Sequence, residues 1–202
     1  MDSKIIKYFI VLILINFKSY AVEFQGKFIQ GHFIIGKTEP GTEISIDKKK
    51  IKVSKDGYFA FGLDKDRKFD VVISEGEKKI IKKFKKRKYK IQRIDGLPEK
   101  KVTPPKEIYE RIKKENKLIS NAREVDSDLS FFKDQFIIPV DDAIITGVYG
   151  SQRILNGIPK WPHYGLDFAQ KKGSPVNAMN NAVVTLAEKD LFYTGATLIF
   201  HH

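Results

Sequence analysis

Cysteine is absent from all 202 residues. An exported chain without it forms no disulfide, and it cannot be tethered to a membrane through a lipidated cysteine. Also missing is an apolar run of about 20 residues, the length a helix needs to cross a bilayer. The longest candidate, Tyr8 to Phe17, is roughly half that. No Rossmann or P-loop phosphate pattern occurs, and the stretch from Ile144 onward shows no Ser-His-Asp arrangement that sequence could identify. Together these gaps exclude a disulfide-stapled extracellular module and a cysteine-anchored lipoprotein.

The short apolar run has a meaning of its own. "MDSKIIKYFIVLILINFKSYA" has a basic start (Lys4, Lys7), the apolar stretch, and Ser19 to Ala21 as a small-residue exit. That is the three-part layout of a secretory signal, with cleavage expected after Ala21 and no integral membrane segment afterwards; an uncleaved anchor is the alternative. A periplasmic or cell-envelope location follows as the expectation. Losing the signal removes three Lys and one Asp, so the exported chain keeps 34 basic and 24 acidic residues, a net +10. Such a charge favours anionic partners, here an anionic envelope surface, and export argues against nucleic acid. A generally lysine-rich, solvated surface accounts for the charge equally well.

Residues 22–95 alternate strand-like runs with turns. "GKFIQGHFIIG", "TEISID", "KKIKVS", "GYFAFGL" and "FDVVIS" are rich in Ile, Val, Phe and Tyr, and "EPGT", "KDG", "DKD" and "EGE" separate them. This predicts a small β-sandwich-like module. His32, alone between Gly31 and Phe33, reads as a strand residue and not a ligand, because a metal site needs convergent partners. "EKKIIKKFKKRKYKIQRI" (77–94) is the densest basic stretch and reads as a cationic edge strand or hairpin arm, with attraction to the wall or to a membrane surface as the functional alternative. Residues 96–143 hold a proline-bearing connection, "GLPEKKVTPP", and then an amphipathic helix over Lys106 to Glu124 with Ile108, Ile112, Ile119 and Ala122 as a narrow apolar stripe. Residues 144–202 turn β-rich again, punctuated by glycines.

"WPHYGLDFA" (161–169) sets His163 and Asp167 four positions apart. Imidazole and carboxylate are usual zinc ligands, and in extended chain residues four apart share a face. A hydrogen-bonded surface pair fits the same spacing, because two ligands do not satisfy zinc.

The surrounding series resembles the opening half of the lysostaphin/LytM-type zinc metalloendopeptidases, peptidoglycan hydrolases of duplicated hybrid motif fold. The matching pieces are Gly147-x-x-Gly150-x-x-Arg153, "PHYGLDFA", "KGSPVNAMNNAVV" and "YTGATLIFHH". The resemblance implies the first half of an antiparallel β-sheet peptidase core in 144–202, one zinc ion, and His163 and Asp167 as two of its three protein ligands. Arg153 and Tyr164, with Trp161, are candidates for contacting substrate; aromatic packing and a turn-fixing arginine are the alternative roles. The family's catalytic histidines and its later His-x-His ligand have no counterpart among the residues given. His202 aligns with a non-ligand histidine and His201 replaces an aspartate, so the catalytic residues stay unassigned and a C-terminally truncated chain is expected.

The fold expected is therefore mainly β: module, connecting helix and partial peptidase sheet. The function expected is that of a secreted zinc-dependent endopeptidase acting on peptidoglycan cross-links, of which these residues are an incomplete part that lacks the His-x-His motif and is inactive alone. A non-catalytic envelope protein that binds wall or activates an amidase is the alternative.

Overall fold

The computed structural model describes residues 22–96 and 105–202. The signal segment and most of the proline-bearing connection, 97–104, lie outside these residues. Among the described residues fourteen strands and one α-helix make the protein mainly β, as the alternation of strand-like runs and turns implied.

Two antiparallel sheets build the N-terminal module. One has the order β1 (Glu23–Gln25), β2 (Phe33–Lys37), β5 (Tyr58–Gly62); the other runs β4 (Lys49–Ile51), β3 (Ile44–Ile46), β6 (Val71–Glu75), β7 (Lys78–Lys82). Burial along these strands has the period of two that a half-buried strand requires. Ile34 in β2, Phe59 and Phe61 in β5, Ile44 and Ile46 in β3, and Val71 and Ile73 in β6 all point into one cluster. Each such side chain contributes about 1.5–3 kcal/mol on burial.

The core has two local requirements that the sequence meets. Gly36 pairs with Phe59 across β2 and β5, and a Cβ there would lie 2.1 Å from the Phe59 ring, so the glycine leaves the surface on which the ring rests. Asp47 and Lys48, at φ 50° and 71°, form the two-residue turn between β3 and β4. The Asp47 carboxylate then accepts hydrogen bonds from both terminal nitrogens of Arg67, at 2.7 and 2.9 Å, and one from the Val72 amide at 3.1 Å.

The predicted helix forms as α1 (Tyr109–Arg123), preceded by a short 3₁₀ turn at Lys106–Ile108. Its less exposed positions recur at 112, 115, 119 and 122, the helical spacing. Glu115 stands where that face would take an apolar residue, and its carboxylate accepts the Phe192 amide at 2.8 Å. Arg111 donates to the backbone oxygen of Asp190 at 2.8 Å. These bonds fasten α1 to the hairpin of β13 (Val183–Leu191) and β14 (Gly195–His201).

Past the helix the chain is clipped to the module by charge: Lys52 meets Asp126 at 2.5 Å and Lys55 meets Asp128 at 3.0 Å. The remaining strands form two small sheets. β9 (Ile144–Gly147) pairs with β12 (Asp167–Ala169), and β10 (Gln152–Leu155) lies between β11 (Ile158–Pro159) and β8 (Ile91–Ile94). The β8–β10 pairing is parallel. The last strand of the module thus completes a sheet with residues some 60 positions later, as only tertiary structure can arrange.

Candidate metal centre

Three elements converge on "WPHYGLDFA". The first is the β10–β11 hairpin, turned by Asn156 and Gly157 at φ 48° and 78°. Asn-Gly is the strongest two-residue hairpin signal, and here it sets the course of the chain toward His163. Lys160 donates its amide to the Arg153 carbonyl at 2.9 Å, closing the hairpin's return.

The second is the loop Val148–Ser151. His163 donates its amide to the Ser151 carbonyl at 2.8 Å and accepts the Gly150 amide at 2.7 Å, so its backbone is clamped on both sides. Gly150 has φ +84°, and a Cβ on it would stand 2.1 Å from the Tyr89 ring. Tyr89 belongs to the N-terminal module, in the segment leading into β8, which thereby presses on the loop that holds His163. Burial pushes the phenol of Tyr89 above its ordinary pKa, and the Tyr149 phenol likewise.

The third is β12. Its first residue, Asp167, pairs with Gly147 of β9, and the carboxylate lies over that glycine: a Cβ at 147 would be 2.2 Å from Oδ2. The register shifts between Asp167 and Phe168, which re-aims the side chain at the strand's start.

The outcome is a close pair. His163 Nε2 lies 3.1 Å from Asp167 Oδ1. The nitrogen is buried and has no hydrogen-bond partner, so the carboxylate is near without the alignment a ring N–H requires. A buried, unsatisfied imidazole nitrogen is costly. The separation is close to the roughly 3.3 Å edge between an N and an O ligand on one tetrahedral zinc with bonds near 2.0–2.1 Å. On both counts the pair fits a shared metal ion. Among the described residues no group of three or more His, Cys, Asp and Glu is placed to hold a metal.

The other residues singled out from the sequence are placed as follows. Tyr164 is 61 % exposed and makes an edge contact with Tyr149, ring centroids 6.0 Å apart. Trp161 is 88 % exposed, which removes packing as its role. Arg153, in the middle of β10, is exposed, and among the described residues no hydrogen bond or ion pair joins its side chain to the pair. His201 and His202 turn elsewhere: His201 Nε2 is 2.8 Å from the Ala122 carbonyl and His202 Nδ1 is 2.9 Å from that of Asn181. His32 sits just ahead of β2, its pKa lowered by burial and by the charges of Arg87 and Lys27.

Sequence reasoning did not find the module's share in this site. Tyr89 and Lys65 of the module reach the loop that holds His163: the Tyr89 ring lies against Gly150, and the Lys65 ammonium is 5.6 Å from that ring's centroid. The available signal was Gly31 and Gly150, two glycines whose missing Cβ atoms leave space for Tyr149 and Tyr89. No family model matches this chain, and no curated protein matches it.

Proposed function

We propose that the chain is an exported zinc-dependent metalloendopeptidase of the lysostaphin/LytM type that acts on the peptide cross-links of peptidoglycan, with His163 and Asp167 as metal ligands. The observation that carries this reading is the buried, partnerless Nε2 of His163 beside the Asp167 carboxylate, 3.1 Å away. In this reading the backbone clamp on His163 fixes the ring, and Asp167 adds the negative charge that lowers the cost of holding a dication. Two protein ligands leave the other coordination positions to water or a further donor. A zinc ion bound there supplies Lewis acidity, polarising a scissile carbonyl and lowering the pKa of its water to about 7. Trp161 and Tyr164 offer exposed faces beside the pair, and Arg153 a cation for an anionic group of the wall polymer.

Calorimetric titration of the full chain with zinc tests the site, and digestion of purified peptidoglycan tests the activity. One ion per chain is expected, lost in His163→Ala and in Asp167→Ala, and any release of soluble wall fragments should be chelator-sensitive. Unchanged zinc stoichiometry in His163→Ala sinks the site. Secretion is read from the mature N-terminus, expected at Val22.

A second reading takes the two-ligand set as it stands: an envelope protein that binds wall or activates an amidase without cleaving. Retention on insoluble peptidoglycan with no soluble product favours it.

A further inference from the structure

Between Lys78 and Arg93 the chain carries ten basic residues and no acidic one. Two of them are engaged with rings: the Lys82 ammonium lies 5.2 Å from the Phe24 centroid and the Arg87 guanidinium 5.5 Å from that of Tyr89. Lys79, Lys83, Lys85, Lys86, Lys88 and Lys90 are all exposed. Among the described residues, the lysines and arginines in salt bridges all lie outside the stretch from Lys79 to Arg93. Six like charges on one length of chain repel one another, and a facing anionic surface relieves that repulsion.

Protection of a sheet edge accounts for only part of this. β7 is the edge strand of its sheet, so lysines on it discourage pairing with another chain. It ends at Lys82, and five of the six exposed lysines come after it. Large apolar side chains stand among them in water: Ile81 is 67 % exposed, Ile91 56 % and Phe69 79 %. Because Val71 pairs with Lys82, Phe69 leaves the sheet at the same end as Lys83. Cations to attract a negative surface, with an aromatic and aliphatic side chains to enter it, are the two components of interfacial membrane binding. A soluble polyanion would use the lysines and leave Phe69 and Ile81 exposed.

We infer that the ridge from Lys79 to Lys90, with Phe69 and Ile81, docks this protein onto a bilayer rich in anionic lipid. The inference is independent of the metal pair. The test is co-sedimentation of the full chain with phosphatidylcholine vesicles, with and without phosphatidylglycerol, at low and high salt. Neutral vesicles report whatever the apolar run Tyr8 to Phe17 adds. The chain should prefer the anionic vesicles in a salt-sensitive way. Replacing Lys83, Lys86, Lys88 and Lys90 together by Gln should reduce that preference on the order of a hundredfold. Phe69→Ser should weaken anionic-vesicle binding several-fold. Circular dichroism unchanged from wild type shows that both variants are folded, as expected for exposed positions. An anionic preference retained by the Gln variant overturns the proposal. So does binding of soluble poly-aspartate as tight as that of vesicles, with Phe69→Ser without effect, which would make the ridge a general polyanion site.

Discussion

Phe59 is sealed from solvent, whereas Leu198, in a longer strand, is 59 % exposed. The contrast holds across the two halves. Nine apolar side chains between Val22 and Ile73 form one buried cluster, while from Phe131 onward only Val140 and Leu191 among the apolar residues are buried. Both halves are strand-rich, so strand content alone does not make a core. What the C-terminal half has instead is attachment: the clamp of Arg111 and Glu115 on the last hairpin, the β8–β10 ladder, and the press of Tyr89 on Gly150. The candidate metal pair therefore rests on the well-packed half, although neither ligand belongs to it.

The largest effect expected from that contrast is Phe59→Ala, a loss of about 3–5 kcal/mol in denaturant unfolding, against no more than about 0.5 kcal/mol for Leu198→Ala. Equal losses would dissolve the distinction between the halves. Next comes Gly150→Ala, which must adopt a left-handed φ and meet the Tyr89 ring; about 1–3 kcal/mol is expected. Amide exchange should quicken in β9 to β12 before it does in β2 and β5, and uniform exchange would show that the press on Gly150 is not the support. Gly147→Ala places a methyl group where the Asp167 carboxylate lies, so zinc affinity should fall roughly tenfold with stability of the N-terminal core unchanged.

The smallest effect is a matter of pH. The hydrogen bond from Arg67 is the main cause that holds the Asp47 carboxyl below its ordinary pKa, despite partial burial acting the other way. A lowered carboxylate pKa contributes stability that is present above the ordinary value and is lost as pH falls through the lowered one. The side chain is 42 % exposed, so the contribution is at most about 1 kcal/mol. Asp47→Asn should lower stability at neutral pH by at most about 1 kcal/mol, and the difference from wild type should vanish as pH falls below ~4, which flattens the acid limb. An unaltered acid limb would remove Asp47 from the account.

The N-terminal strands were legible because each carries its own alternation and its own turn chemistry, as "TEISIDKKKIKV" does around Asp47 and Lys48. The helix was legible for the same local reason. His163 and Asp167 could be named from their spacing and surroundings, and the structure brings them together. The clamp on the His163 backbone could not be named, since it runs through Gly150 and Ser151, and Gly150 is itself met by a ring contributed some 60 residues earlier. Tyr89 in sequence is one more residue of a basic run. Its place beside Gly150 goes with the parallel pairing of the strand that follows it, and a parallel partner leaves no local pattern at either strand.

That pairing also sets an order of events in synthesis. β8 is finished while β10 is still some 60 residues from being made. At about 5–20 residues per second it waits roughly 3–12 s for its partner. For that interval Ile91 to Ile94 is an open strand able to recruit another nascent chain. Lys88, Lys90 and Arg93, flanking and interrupting it, place like charges on any two copies that approach, so the ridge acts as gatekeeper of the unfinished chain.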